Sequence, residues 1–566
     1  MKKWFQSVLK NSGVTILFWI MATGIILGLN LIPLSAHIRN STPTRTYTLV
    51  HNNVQDYYFY LSLMREGARV QWLTTIPYTT ETHSPSINFF PFLLLGKISA
   101  TTGISFEMTY QIFRFIASIL FFASAYIFIR SISIPHKNLT YLIFLFASPF
   151  LMTTSANGTE ATVPYLYWWT GIDAVRRGAY LPHHMLGGTL LILAMMVILK
   201  FHKSGKWRDV LVSILILPFL ILVHPPSLFI LMIVIPSAIL LYVIFQMIIH
   251  ATRHNFANLI RYLGKNYKKE LIILSVPLLA FLLTVAYIFI MEQDPLWAHA
   301  ILWEKNQQLS ILNEIFGAFG ILLPFALVGL ISSILSFKFP RILIASWFII
   351  PLILLPIAPV FNISNTRLIQ GIPFFPFSIL AMIGITDVTL WISQMTEKNI
   401  MSVPKRLNIQ TLLIGLIFGI FLIQSGVTIS WSVRDQIREF QNRYSNIYLD
   451  TALYPAFDFI NRTYSPQTIT VSAFYTGNFL PAFTDTISYI GHFGYTYDLN
   501  FKEPEVNKLL KNQMTEKEAR QFLTDHKIRL VFQGPDERSY YSGLLYPNIL
   551  KPVYQQSGIV LYELIP

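Results

Sequence analysis

What most constrains this chain is a series of apolar runs, each about as long as a bilayer is thick. They recur from near the N-terminus to about residue 430, and a helix needs ~20 such residues to cross the hydrocarbon core. Backbone N–H and C=O groups find no water there, so each run is expected to be helical. We place about eleven spans, at 14–33, 107–130, 139–155, 184–201, 209–223, 226–249, 270–291, 315–337, 342–358, 371–393 and 409–430. The first follows Met1-Lys2-Lys3-Trp4 with no small-residue cleavage site after it, and reads as a retained helix. The expected class is a polytopic α-helical membrane protein. With 53% hydrophobic and 12% charged residues, the chain has too little charge to cover a soluble surface of this size.

Charge sets the topology. The net charge of +14 would suit a nucleic-acid partner if the basic residues formed one patch, but they fall in short clusters between the apolar runs. Examples are Lys200, Lys203, Lys206 and Arg208, then Arg253, Arg261, Lys265, Lys268 and Lys269. Such alternation is the positive-inside pattern, with a cytoplasmic N-terminus and no role in nucleic-acid binding. An odd number of spans puts the C-terminus outside a plasma membrane, and the compact loops suit a prokaryotic one. From about Trp431 half of the 28 acids appear, mixed with Lys, Arg, Asn and Tyr. Thr468–Val471 and Arg529–Phe532 alternate as strands do, while Glu503–Leu510 and Thr515–His526 read as helices. The domain organisation is therefore 1–430, transmembrane, and 431–566, an extracytoplasmic α+β domain large enough for its own small core. Without cysteine there is no disulfide, thiolate chemistry or Cys-ligated metal.

The longest loop between spans, about 35–106, lies on the outer face in this topology, and long ordered loops are usually functional. It holds Gln55-Asp56-Tyr57-Tyr58-Phe59-Tyr60, within a stretch expected to lie as an interfacial helix. Glu81 and His83-Ser84-Pro85 come next, followed by the apolar Ile87–Leu95, too short to span. Gly103-Ile104-Ser105 and Arg114, early in the second span, complete the series. This order resembles the N-terminal part of the GT-C superfamily of membrane glycosyltransferases, which includes protein mannosyltransferases and lipid A aminoarabinose transferases. The resemblance covers about residues 14–130. Beyond that it rests on helix number and topology. Three departures are visible: Asp56 is followed by Tyr57 and not by a second acid, Ser84 stands where the first proline of a Pro-Pro pair is common, and no Asp-x-Asp occurs.

The resemblance implies a polyprenyl-phosphate sugar donor, and a glycan, glycolipid or protein acceptor on the outer face of the bilayer. An attacking hydroxyl or amine must lose its proton, and a placed carboxylate can take it. The leaving phosphate must be met by cations or hydrogen-bond donors. By resemblance Asp56 is the base, His83 contacts the lipid phosphate, and Arg367 in Asn365-Thr366-Arg367-Leu368 is a second phosphate clamp. Tyr57, Tyr60 and Glu81 belong to the same candidate site, as does Arg114, because charge inside an apolar run is costly and usually functional or paired. A later outer loop adds Trp169 and His183, among Glu160, Trp168, Asp173, Arg176, Arg177 and His184. Aromatic rings beside charges suit a sugar, and also suit an interfacial belt with headgroup-binding arginines. Adjacent His183 and His184 make a poor metal pair, since helical ligands usually stand at i and i+4, so no metal and no cofactor is expected. Two other functions remain open: a lipid-linked sugar transporter, although no internal repeat is visible, and a non-catalytic envelope scaffold.

Overall fold

A computed structural model describes residues 12–69, 71–156, 159–166, 171–251, 267–308, 314–361, 363–399, 409–442 and 445–565. Among the residues outside it are Trp168, Trp169, Arg253, Arg261 and Lys265. Seven helices among the described residues are long and apolar enough to cross a membrane: Gly13–Arg39, Phe106–Ser131, Pro182–Ser204, Pro226–Ile249, Lys268–Glu292, Phe374–Thr396 and Ile409–Arg438. Lys137–Phe146, Gly320–Leu335 and Phe339–Leu354 are shorter apolar helices. One expectation is corrected: the stretch 139–155 is not a single helix. The helix Lys137–Phe146 ends at Ala147-Ser148-Pro149, and Leu151–Ala156 then pairs antiparallel with Thr159–Pro164. Proline disfavours helical backbone in the residue before it and cannot itself donate, so the helix stops there.

The chain divides into two compact units, each made of three segments. The first contains residues 1–33, 114–287 and 307–436. Its core is almost wholly aliphatic and aromatic, with Trp347 buried and donating Nε1–H to the Gly371 carbonyl at 2.8 Å. Glycines bring two of its helices together. A Cβ on Gly329 would lie 1.9 Å from the Leu380 carbonyl oxygen, and one on Gly384 would lie 1.9 Å from that of Phe325. Membrane helices gain little from the hydrophobic effect when they meet, so close backbone contact at small residues takes its place. Buried Arg177 caps the C-terminal end of Lys137–Phe146. Its Nη2 donates to the carbonyls of Phe144, Leu145 and Ala147, and its Nη1 to Ile172 at 2.7 Å. A cation here satisfies carbonyls that a helix end leaves without partners. Burial pulls the guanidinium down to about 9, with Asp173 opposing that fall.

The second unit contains residues 34–113, 288–306 and 437–566. Its centre is a five-stranded sheet in the order Ile487–Ser488, Ile469–Val471, Leu530–Gln533, Ile559–Leu564, Leu550–Gln556. The first three strands are parallel, and the last two are antiparallel to their neighbours. Leu530–Gln533 is buried along its whole length, as expected of an interior strand covered on both faces. The helix Glu516–Asp525 starts at a capping box between Thr515 and Glu518. The loop that precedes the second span folds into this unit. Arg45–Tyr47 pairs antiparallel with Tyr448–Asp450. Helices Val54–Ala68 and Phe90–Thr102 cross at Gly67 and Gly96, where added Cβ atoms would strike the carbonyls of Leu93 and Met64.

Candidate active site

Asn53 caps the helix Val54–Ala68, its side chain accepting from the Gln55 N–H at 2.9 Å, and Asp56 falls in the first turn. That position favours negative charge, because the unpaired N–H groups of a helix start point at it. Apolar and aromatic residues follow immediately: Tyr57, Tyr58, Phe59 and Tyr60 are all buried. Asp56 is thus the point where a packed helix meets solvent, its side chain 34% exposed.

Among the described residues, one side chain faces that carboxylate. His492 Nε2 lies 3.5 Å from Asp56 Oδ1. Nδ1 of the same ring accepts the Gly494 N–H at 3.1 Å, so in the neutral ring the hydrogen sits on Nε2, which lies beside the carboxylate without a hydrogen-bond partner among the described residues. The ring is held by Phe59, Tyr78 and Tyr495, with centroids 5.1, 5.8 and 4.9 Å away. The Gly491 and His492 N–H groups both donate to Thr496 Oγ1, which fixes the loop that carries it. The histidine is buried beside one carboxylate oxygen, while the carboxylate itself is partly exposed and able to accept a proton. His492 follows a short strand, between Gly491 and Gly494, and nothing in the sequence alone connects it with a loop more than 400 residues earlier.

The other residues singled out in this unit are placed differently. Tyr57 donates its hydroxyl to the Thr48 carbonyl at 2.8 Å, and Tyr60 stacks on Phe92 at 4.1 Å, so both rings belong to the core. Both nitrogens of His83 are occupied within its own loop: Nε2 accepts the Ile76 N–H and Nδ1 donates to the Glu81 carbonyl, each at 2.9 Å. No ring nitrogen is left over for a phosphate. The next residue joins the loop to a helix start, since the Ser84 N–H donates to Asp294 and Trp297 Nε1–H donates to the Ser84 carbonyl. Glu81 takes both oxygens to Lys502 Nζ, at 2.6 and 2.8 Å, and also accepts the Thr79 hydroxyl. Burial pushes its carboxyl up, but Lys502 and Thr79 outweigh burial and hold it below the usual carboxylate range. Glu81 therefore acts as a strut.

Arg114, His183 and Arg367 belong to the other unit. Arg114 is buried, donates to the Ala179 carbonyl at 2.7 Å and lies over the Phe115 ring. His183 and His184 open the helix Pro182–Ser204, and both approach His224, at centroid separations of 6.2 and 4.4 Å. Gly187 makes this possible, because a Cβ there would lie 2.4 Å from His224 Cβ. His224 Nδ1 is paired with Ser227 Oγ at 2.8 Å. Arg367, in the short helix Thr366–Ile369, lies within electrostatic reach of His184 and His224 and donates to Gln370 Oε1 at 2.9 Å. Arg177, Tyr180, His184, Gln370 and Phe374 line a cavity of about 60 Å³ beside this cluster. Among the described residues, no three His, Asp or Glu side chains converge as a metal-binding set.

No family model and no curated protein matches this chain at a significant level, whereas solved structures do. The archaeal oligosaccharyltransferase AglB from Archaeoglobus fulgidus, in complex with an inhibitory peptide and a dolichol-phosphate, aligns over 93% of this chain and 69% of its own, with a TM-score of 0.55 at 12% identity. The arabinofuranosyltransferase AftD from Mycobacteria aligns over 96% of this chain and 40% of its own, with a TM-score of 0.54 at 9% identity. This is the GT-C fold. The likeness extends well past residues 14–130, so the GT-C fold covers the part of the chain where the sequence offered only helix number and topology. At such low identity the likeness is one of architecture.

Proposed function

We propose that this chain is a membrane glycosyltransferase. It transfers one sugar from a polyprenyl-phosphate carrier to a hydroxyl- or amine-bearing acceptor of the cell envelope, at the outer face of a prokaryotic plasma membrane. The N-terminus is cytoplasmic, and residues 431–566 lie outside. The observation that carries this reading is Asp56: a partly exposed carboxylate at a helix start, faced by an oriented histidine, on a GT-C fold. The solved structure of AglB, which shares that fold, contains a dolichol-phosphate and a peptide, in keeping with a lipid-linked donor here.

The assigned step is a direct displacement with inversion at the anomeric carbon. Asp56 accepts the proton of the acceptor as the acceptor's oxygen or nitrogen bonds to that carbon. The bond from the anomeric carbon to the phosphate oxygen breaks, and the lipid phosphate departs as an anion. His492 Nε2 lies 3.5 Å from one oxygen of Asp56 and is the buried group nearest to hand for steadying the carboxylate as it takes the proton. Arg367, by resemblance a phosphate clamp, has His184 and His224 as neighbours within its own unit.

The test is transfer in proteoliposomes from a panel of radiolabelled polyprenyl-phosphate sugars, with wild type beside Asp56→Asn. We expect the wild type to transfer or slowly hydrolyse one donor, and the substitution to lower that rate by about a hundred-fold or more at unchanged expression. Equal rates in both proteins would refute the assignment of the base. Absence of both reactions with every donor and acceptor offered would refute the transferase reading.

A further inference from the structure

The three parallel strands of the second unit end on one edge of the sheet, and the segments that follow them gather there. Ile469–Val471 runs into Ser472, Ala473 and the helix Phe474–Phe483. Ile487–Ser488 leads to His492 and Phe493, and Leu530–Gln533 leads to Gly534 and the short helix Pro535–Tyr540. The carboxyl edge of parallel strands is where open α/β sheets bind ligands, because successive loops diverge there and leave a crevice.

Aromatic rings on this edge are left uncovered. Tyr475, Phe493 and Tyr540 are 48%, 49% and 42% exposed. Phe474 packs on Phe493 at 4.8 Å and on Tyr475 at 5.5 Å, so these rings form one cluster, and Tyr540 ends the short helix that follows Leu530–Gln533. The backbone beneath them is fixed, since buried Glu537 accepts the N–H groups of Ala473 and Gly534 at 2.8 and 2.9 Å. The backbone that carries these rings is tied to the helix start at Asp56. Phe493 follows His492 in the chain, and Tyr475 lies one helical turn before Asn478, whose amide donates to the Gln55 carbonyl at 3.3 Å.

We infer that this edge is an acceptor-binding shelf for a saccharide, whose sugar rings stack on Phe493 and Tyr475 while one hydroxyl is presented to Asp56. Pyranose and furanose rings have apolar C–H faces that suit exposed aromatic rings, and their hydroxyls suit neighbouring carboxylates. Among the described residues, the shelf has no strong charge to attract an anionic lipid headgroup: Glu537 is buried beneath it, burial pushes the Asp536 carboxyl up, and Lys511 lies over the Tyr540 ring at 5.7 Å. Its exposed feature is aromatic, which suits the apolar face of a neutral sugar. The inference rests on the transferase reading and narrows its acceptor to a glycan or glycolipid.

The test uses the full chain in nanodiscs, with mannotriose, maltotriose, arabinotriose and chitotriose as probes, and a serine- and threonine-rich peptide as the competing class. Binding is measured by calorimetry without donor, independently of catalysis. We expect one trisaccharide to bind, the peptide not to bind, and Tyr475→Ala/Phe493→Ala to weaken the trisaccharide by about ten-fold at an unchanged melting temperature. With donor present, the same double variant raises the KM for that acceptor by a similar factor. Unchanged trisaccharide binding in the double variant, or binding of the peptide alone, overturns the shelf. Asp56-dependent transfer to an acceptor that ignores the double variant overturns the shelf and leaves the transferase standing. Shelf-dependent binding without transfer does the reverse.

Discussion

Glu537 provides a quantitative test of how the second unit is held together. Its carboxyl is fully buried and accepts two backbone N–H groups, from Ala473 and Gly534. Burial raises it from 4.5 to about 7, against the opposing effect of Thr476 and those backbone donors. Below the lower value the group is protonated whether the chain is folded or unfolded. Between the two values the unfolded chain releases its proton while the folded chain keeps it, so stability falls as pH rises. Above the upper value the two states again carry equal charge, and the loss is complete. A shift of this size corresponds to about 3 kcal/mol. Glu537→Gln removes the titration, but it also sets an amide donor against one of two N–H donors, which costs about 1–2 kcal/mol at every pH. The two effects have opposite signs. The variant should therefore be less stable than wild type near pH 5 and more stable near pH 7.5. The assay is hydrogen exchange of the strand amides of Val471 and Val531 in the full chain in detergent, converted to opening free energies at the two pH values. Asp536, also raised by burial against the Thr476 hydroxyl, is common to both proteins and cancels. A variant less stable by the same amount at both pH values would refute the reasoning, since Glu537 would then be ionised throughout and its hydrogen bonds would outweigh burial.

Two further outcomes follow from contacts described above. His492→Phe keeps the packing against Phe59 and Tyr495 and removes the polar Nε2 that lies 3.5 Å from Asp56, so, if that nitrogen steadies the base, kcat should fall by about ten-fold with the donor KM unchanged. His492→Gln, which retains a donor, should recover part of that loss in the same transfer assay, and equal rates in both variants would remove the positioning role. Arg177→Met should destabilise the first unit by about 3 kcal/mol or more, because the carbonyls of Phe144, Leu145, Ala147 and Ile172 lose their donors together; thermal unfolding in detergent measures this.

The sequence by itself determined the class of the protein. Apolar runs of bilayer length admit only helices, since no other continuous backbone satisfies its own polar groups in lipid. The strand read at Arg529–Phe532 and the helix read at Thr515–His526 were equally legible and appear at Leu530–Gln533 and Glu516–Asp525, because short-range composition is a local pattern. Asp56 stood out for a local reason too, as an acid opening an aromatic helix. The helix expected over 139–155 fell short because average hydropathy continued past Pro149, where backbone geometry could not. Only the tertiary structure decided what each polar side chain faces. His83 and Glu81 look like site residues in the sequence, yet one is used by its own loop and the other by Lys502, far along the chain. His492 looks ordinary, yet folding brings it to Asp56. Spacing along a chain reports which residues share a face of one helix or strand. A hydrogen bond between residues hundreds of positions apart depends on how sheet, loop and helix pack, and that packing is fixed by the whole core at once.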